Sequence, residues 1–162
     1  MKSLLVLRHA DANAASADGI DITRALSDLG KDQAAVLGRR MAEDKIKPDA
    51  VSCSGALRAR ETAALVAENG GWTAPILELD QFYNASVADL ASHIRSQVRE
   101  VEQLCIVAHA PGVADLVSWL TTLSDDLALV YVAGTLAAID LEIDNWTELK
   151  PGCGALRFLL VP

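Results

Sequence analysis

A buried strand that runs straight into a charged pair is the tightest constraint in this sequence. Ser3-Leu4-Leu5-Val6-Leu7 carries four large aliphatic residues in five, without alternation, and reads as a strand covered on both faces. Arg8-His9 follows at once, and an apolar core accepts neither residue unpaired, so the charge sits at the strand's exit. Open α/β sheets bind ligands in the crevice outside the carboxyl ends of their strands. Arg8 and His9 therefore stand where such a sheet does its chemistry.

The same arrangement recurs along the chain. Asp49-Ala50-Val51-Ser52-Cys53 reads as a second strand, and Ser54 to Thr62 as its exit turning into a helix that has Arg58 in its first turn and buries Ala59, Ala63, Val66 and Ala67. Gln103 to Ala108 is another apolar strand, and it ends in His109-Ala110-Pro111-Gly112, with Pro111 suited to the first turn of a helix. That helix would put its N-terminus, which favours an anion, beside His109. Between these lie a helix from Ser27 to about Asp44, a short strand at Pro75–Leu79, and a helix opened by Ser86 with Asp89 as capping-box partner. Val87, Leu90, Ala91, Ile94, Val98 and Val101 repeat at helical spacing, which extends that last helix to about residue 101. Two strands, Thr135–Ile143 and Ala155–Val161, close the chain through a polar turn region. Strands alternating with helices predict an α/β fold with a mostly parallel sheet, helices on both faces and an antiparallel element from the tail.

Bulk properties narrow the partners. The 162 residues fit a single domain spanning residues 1–162, and no linker or low-complexity run interrupts them. A formal net charge of -8 argues against nucleic acid and against an anionic membrane surface, so any anion site must be local. Leu4–Leu7 is too short for a signal-peptide core, and no apolar run reaches the length of a membrane span. Cys53, Cys105 and Cys153 lack metal-ligand spacing and read as reduced, buried thiols of a cytoplasmic protein. His93, inside a helix pattern, is expected to be a partly exposed residue without chemistry, and Arg60 to belong to a solvated helix face.

Three strand exits thus deliver Arg8 with His9, Arg58, and His109, with Arg24 on the long loop after the first strand. Cations clustered in an acidic protein call for a dianionic ligand, and phosphate is the simplest. With Leu7-Arg8-His9-Ala10-Asp11, Arg24-Ala25-Leu26-Ser27-Asp28-Leu29-Gly30, Ser54-Gly55-Ala56-Leu57-Arg58-Ala59-Arg60-Glu61-Thr62 and Ala108-His109-Ala110-Pro111 in that order, the sequence resembles the histidine phosphatase superfamily, and within it the SixA-type phosphohistidine phosphatases. The first motif corresponds to that family's Arg-His-Gly (RHG) motif, with Ala10 in the glycine position. The third has Gly55 where Pro is usual.

The resemblance implies a phosphoglycerate mutase-like three-layer sandwich. It implies His9 as the nucleophile that becomes phosphohistidine, with Arg8, Arg58 and His109 on the phosphoryl oxygens, Arg24 as a further substrate contact, and neither metal nor cofactor. Larger relatives carry a glutamate after the third strand as general acid. By position, Glu78, Asp80 and Asp11 are the candidates here, and Asp11, two residues from the nucleophile, is preferred. The expected activity is phosphatase action on a phosphorylated protein, with phosphohistidine as the group removed, or on a small phosphorylated substrate. A mutase is disfavoured because the chain has no room for large enclosing insertions. The alternatives are a small-molecule phosphomonoesterase or mutase of the same fold and a phospho-ligand binding module without turnover. A receiver-type signalling domain fails because its acidic pair after the first strand is replaced here by Arg-His. Oligomeric state is not legible.

Overall fold

The computed structural model describes residues 1–123 and 130–162. The chain runs β1 (Lys2–Arg8), α1 (Asp28–Glu43), β2 (Ala50–Ser54), α2 (Leu57–Gly70), β3 (Ile76–Leu79), α3 (Val87–Arg95), β4 (Gln103–Ala108), α4 (Gly112–Thr121), β5 (Leu136–Leu141) and β6 (Gly154–Leu160). Short 3-10 turns at Asp21–Thr23, Asp80–Phe82 and Trp146–Glu148 punctuate the loops.

The strands form one sheet in the order β3-β2-β4-β1-β5-β6. Within it β1 pairs in parallel with β4, and β2 pairs in parallel with β4 and β3, whereas β5 runs antiparallel to β1 and β6 antiparallel to β5. The mostly parallel sheet with an antiparallel tail is the α/β architecture expected from the sequence.

β1 has no alternation because both its faces are covered. Leu4 and Val6 join a core packed by α3 and α4, while Leu5 and Leu7 join the opposite core packed by α1 and α2. Each such fully buried aliphatic side chain contributes about 1.5–3 kcal/mol. β4 divides in the same way, with Leu104 and Ile106 on one side and Cys105 and Val107 on the other. Arg8 is in register with Ala108, so β1 and β4 end level and deliver the residues that follow them to a common edge.

Local chemistry explains the helix starts. Ser27 caps α1 by accepting the Gly30 N–H, and a Cβ on Gly30 would lie 1.9 Å from the Asp11 carbonyl oxygen. Only glycine lets the first turn of α1 close onto the loop leaving β1. α3 has the full capping box, Ser86 with Asp89. It ends sooner than its periodicity predicts: the last helical residue is Arg95, and Val98 is exposed. The Arg95 guanidinium donates through Nε and Nη2 to the Leu149 carbonyl, and the Ser96 hydroxyl donates to the His93 carbonyl, so tertiary and local bonds stop the helix where its apolar pattern would continue. Val101 still packs against the core, from outside the helix. Among the described residues no helix is long and apolar enough to cross a membrane.

Candidate active site

The ends of β1, β2 and β4 surround a cleft of about 310 Å³ lined by Arg8, His9, Asp11, Ala12, Arg24, Arg58, Asn84, His109, Ala110 and Ala133. The residues the sequence preferred for the site, His9, Arg8, Arg58, His109, Arg24 and Asp11, all border this cavity, whereas the other two acid candidates, Glu78 and Asp80, do not. Larger surface hollows lie beside Arg95 and Asp115, beside Asp21 and Arg24, and among Arg39, Arg40, Glu43 and Asp44, but none of these three holds a histidine.

His9, almost fully buried, points its Nδ1 at the carbonyl oxygen of Ala10, 2.8 Å away. A carbonyl only accepts, so Nδ1 carries the proton and Nε2 keeps the lone pair. That lone pair faces the Nε–H of Arg58 at 3.4 Å. Burial, reinforced by the positive charges of Arg58, Arg8 and Arg24 and opposed by the bond to Ala10, lowers the His9 pKa to about 4. At neutral pH the ring is uncharged, and Nε2 keeps a lone pair that faces Arg58.

Ala10 fits where its glycine counterpart would stand. Among the described non-glycine residues, positive φ occurs at Lys45, Asn84 and Thr122, so Ala10 keeps ordinary backbone geometry, and its methyl is fully buried. Its N–H donates to the Thr62 hydroxyl at 3.0 Å, which in turn donates to the Arg58 carbonyl at 2.7 Å. Thr62 thus ties the β1 exit to the first turn of α2. Gly55 also has a local reason: a Cβ there would meet Asp80 Oδ1 at 2.5 Å.

His109 stands beside His9, ring centroids 5.1 Å apart, with Tyr83 packed edge-on at 5.6 Å. Its Nε2 lies 2.8 Å from the Ser54 hydroxyl, which already accepts the Ala56 N–H at 3.2 Å. The serine proton is then best used toward His109 Nε2, which leaves Nδ1 as the protonated nitrogen, and that atom is buried without a partner among the described residues. Burial, with His9, Arg58 and Arg8 adding repulsion and Asp21 opposing, lowers the His109 pKa to about 3. His109 is thus a neutral N–H donor with an unused proton.

The guanidinium groups are held by oxygens outside the cleft. Arg8 donates through Nη1 to the Tyr131 carbonyl at 2.9 Å, and its Nε is buried without a partner among the described residues. Arg58, 4% exposed, donates through Nη1 to the Asp21 carbonyl at 2.9 Å and through Nη2 to the Asp21 carboxylate at 3.1 Å. Arg24 donates through Nε to Asp21 Oδ1 at 2.9 Å and through Nη1 to the Asn13 carbonyl at 2.8 Å. Asp11 accepts the Ser27 hydroxyl on one carboxylate oxygen, while its N–H donates to Gln33 Oε1. Glu78 lies outside the cleft lining and pairs with Arg60 at 3.8 Å, and Asp80 is exposed over Gly55. His93 is half-buried, bonded to Ser52 and clear of the cleft.

Sequence reasoning passed over Asp21, Tyr83 and Ser54 as parts of the site. Asp21 had one local signal, its spacing three residues before Arg24. Its link to Arg58 spans 37 residues, and that of Tyr83 to Asp21 spans 62. No periodicity announces contacts of that range. All three cysteines are free and buried, as expected.

Comparison with known proteins agrees with this geometry. Residues 4–105 match the family model of the histidine phosphatase superfamily (branch 1). The uncharacterised protein Rv1276c of Mycobacterium tuberculosis is 30% identical, over 96% of this chain and 99% of its own length. Among solved structures, a SixA-type chain from Nakamurella multipartitia superposes with a TM-score of 0.87 at 24% identity, covering 99% of this chain and 96% of that one. The protein histidine phosphatase SixA complexed with tungstate superposes at 0.83 and 20% identity, covering 98% and 96%. With the four ordered motifs brought to one cleft on this fold, the chain belongs to the histidine phosphatase superfamily (branch 1).

Proposed function

We propose that this protein is a metal-independent phosphatase that removes phosphate through a covalent phosphohistidine on His9, with phosphohistidine on a partner protein as its substrate. The observation that carries the proposal is a neutral His9, its Nε2 lone pair beside Arg58, in a cleft also bordered by Arg8, Arg24 and His109, whose buried Nδ1 has no partner among the described residues. A phosphoryl group drawn in by these cations has its oxygens neutralised, and transfer of phosphorus needs little beyond positioning and charge stabilisation. That a SixA of the same fold forms a complex with tungstate, an oxyanion like phosphate, is in keeping with this reading.

The Nε2 lone pair attacks phosphorus as the bond to the leaving atom breaks, and the electron pair departs with the leaving group. Asp11, the one of the three candidate carboxylates that borders the cleft, is assigned the proton that an alkoxide leaving group needs. Attack of water on the phosphohistidine then frees phosphate and returns the lone pair to His9. A protein phosphohistidine needs the acid least, because its imidazole leaves neutral. The shallow, polar cleft and a chain of nearly the same length as its matched relatives suit a large substrate presented from outside. The chain is read as one domain over residues 1–162, and its buried free thiols suit the cytoplasm.

The deciding experiment incubates the purified protein with p-nitrophenyl phosphate and with a phosphohistidine protein in excess EDTA, and quenches in alkali to trap labelled phosphohistidine. Turnover in EDTA and label on His9 are expected. Vanadate binding without turnover would make the protein a phospho-ligand binding module, and turnover restored only by added magnesium or zinc would remove metal independence.

A further inference from the structure

We propose that Asp21 is the positioning residue of this site: it orients Arg58 and Arg24 for the transferring phosphoryl group while offsetting part of their charge, a role that rests on the phosphatase reading above. Asp21 is not among the residues lining the cleft, yet it satisfies the two cations on their outer side. Its carbonyl accepts Arg58 Nη1 at 2.9 Å, its carboxylate accepts Arg58 Nη2 at 3.1 Å and Arg24 Nε at 2.9 Å, and the Tyr83 hydroxyl donates to the same carboxylate.

Donor accounting on Arg58 gives the consequence. Nε–H faces His9 Nε2, and one hydrogen on each η nitrogen goes to Asp21, so the plane of the guanidinium is fixed at both ends. One hydrogen remains on each η nitrogen for a ligand. Tyr83 adds a second hold, with the Arg58 guanidinium 5.9 Å over its ring. The carboxyl is kept well below the usual range, first by the Tyr83 hydroxyl, then by Arg24 and the charge of Arg58, so it stays anionic throughout the working pH range. An exposed loop carboxylate with three partners in one corner is therefore a fixed counter-charge, and the cations it holds are preorganised before substrate arrives.

This predicts opposite signs for binding and turnover. Removing the carboxylate takes a negative charge away from the cations, which favours a bound dianion. It also lets Arg58 swing away from the reacting geometry, which slows transfer.

The test measures kcat with p-nitrophenyl phosphate and the inhibition constant of inorganic phosphate for wild type, Asp21→Ala, Asp21→Asn and Tyr83→Phe. In Asp21→Ala, kcat should fall about 10- to 100-fold while the phosphate inhibition constant holds or drops. Asp21→Asn keeps an oxygen for Arg58 and should recover part of the loss, and Tyr83→Phe should cost about 2- to 3-fold. A kcat within about twofold of wild type in Asp21→Ala, or parallel losses of turnover and phosphate affinity, overturns the positioning role. Should the alanine variant fail to fold, Asp21→Asn decides by the same criteria. Absence of turnover in wild type overturns the phosphatase reading and this role with it, whereas active wild type with unaffected variants overturns this role alone.

Discussion

Ser52 and Ser54 stand two residues apart on β2, point to the same face of the sheet and each holds a histidine, His93 at 2.9 Å and His109 at 2.8 Å. Burial lowers the pKa of both rings. What separates them is where each ring sits. His93 Nε2 meets Ser52 and also Gln97 at 3.0 Å, and Phe82 packs edge-on against the ring at 5.0 Å, in a corner closed by α3. His109 is held just as firmly at Nε2, and its Nδ1 is buried without a partner among the described residues, beside a second histidine and guanidinium groups at the cleft. A buried polar atom without a partner costs about 1–3 kcal/mol and persists where a ligand satisfies it. Neither the serine bond nor an unbonded Nδ1 distinguishes the two rings; His109 differs in that its Nδ1 is buried at the cleft, and the role proposed for it rests on that place.

The largest effect that sharpens this contrast is at the nucleophile. His9→Ala should abolish steady turnover while vanadate still binds, because the cations remain, whereas Arg58→Ala should damage both turnover and binding. His93→Gln, assayed alongside, should retain wild-type turnover, and a comparable loss there would erase the distinction between the two corners.

Next comes the donor itself. His109→Ala removes one hydrogen bond to the developing charge and should lower kcat by about 10²- to 10³-fold.

The serines give a finer comparison. Ser54→Ala frees the His109 tautomer and should lower kcat by about tenfold, the scale of losing an orienting partner. Ser52→Ala should leave kcat alone and lower unfolding free energy by about 1 kcal/mol, read from denaturant melts. If the two substitutions acted alike on kcat, the proposed division between them would fail.

The smallest effect is that of pH. His9 and His109 have folded pKa values near 4 and 3, below the unfolded value of 6.5, so the unfolded state binds more protons once pH drops below about 6.5. The stability they contribute is complete above that pH and is lost as pH falls through their folded pKa values. Melting temperature of the ligand-free protein should fall from pH 6.5 toward 4, and less steeply in His9→Ala. The His9 contribution to the acid limb of kcat/KM should appear near pH 4 and not near 6.5.

The sequence alone determined the strands, the sheet edge and the residues brought to it. Leu4–Leu7 and Leu104–Val107 are buried on both faces, so their composition specifies central strands without help from distant residues, and Arg8, His9 and His109 follow as the first residues that cannot stay in the core. Capping chemistry at Ser27 and Ser86 is equally local, which is why the helix starts were readable. The tertiary structure decided what depends on contacts across loops: the end of α3 at Arg95, set by a carbonyl 54 residues away, and the nitrogen of His109 that is free, set by Ser54. It also decided the hold of Asp21 on Arg58 and the place of Asp11, rather than Glu78 or Asp80, at the cleft. Hydrophobic period and capping act over a few residues, whereas a hydrogen-bond partner is chosen by where two distant loops come to rest, and a linear pattern carries no record of that distance.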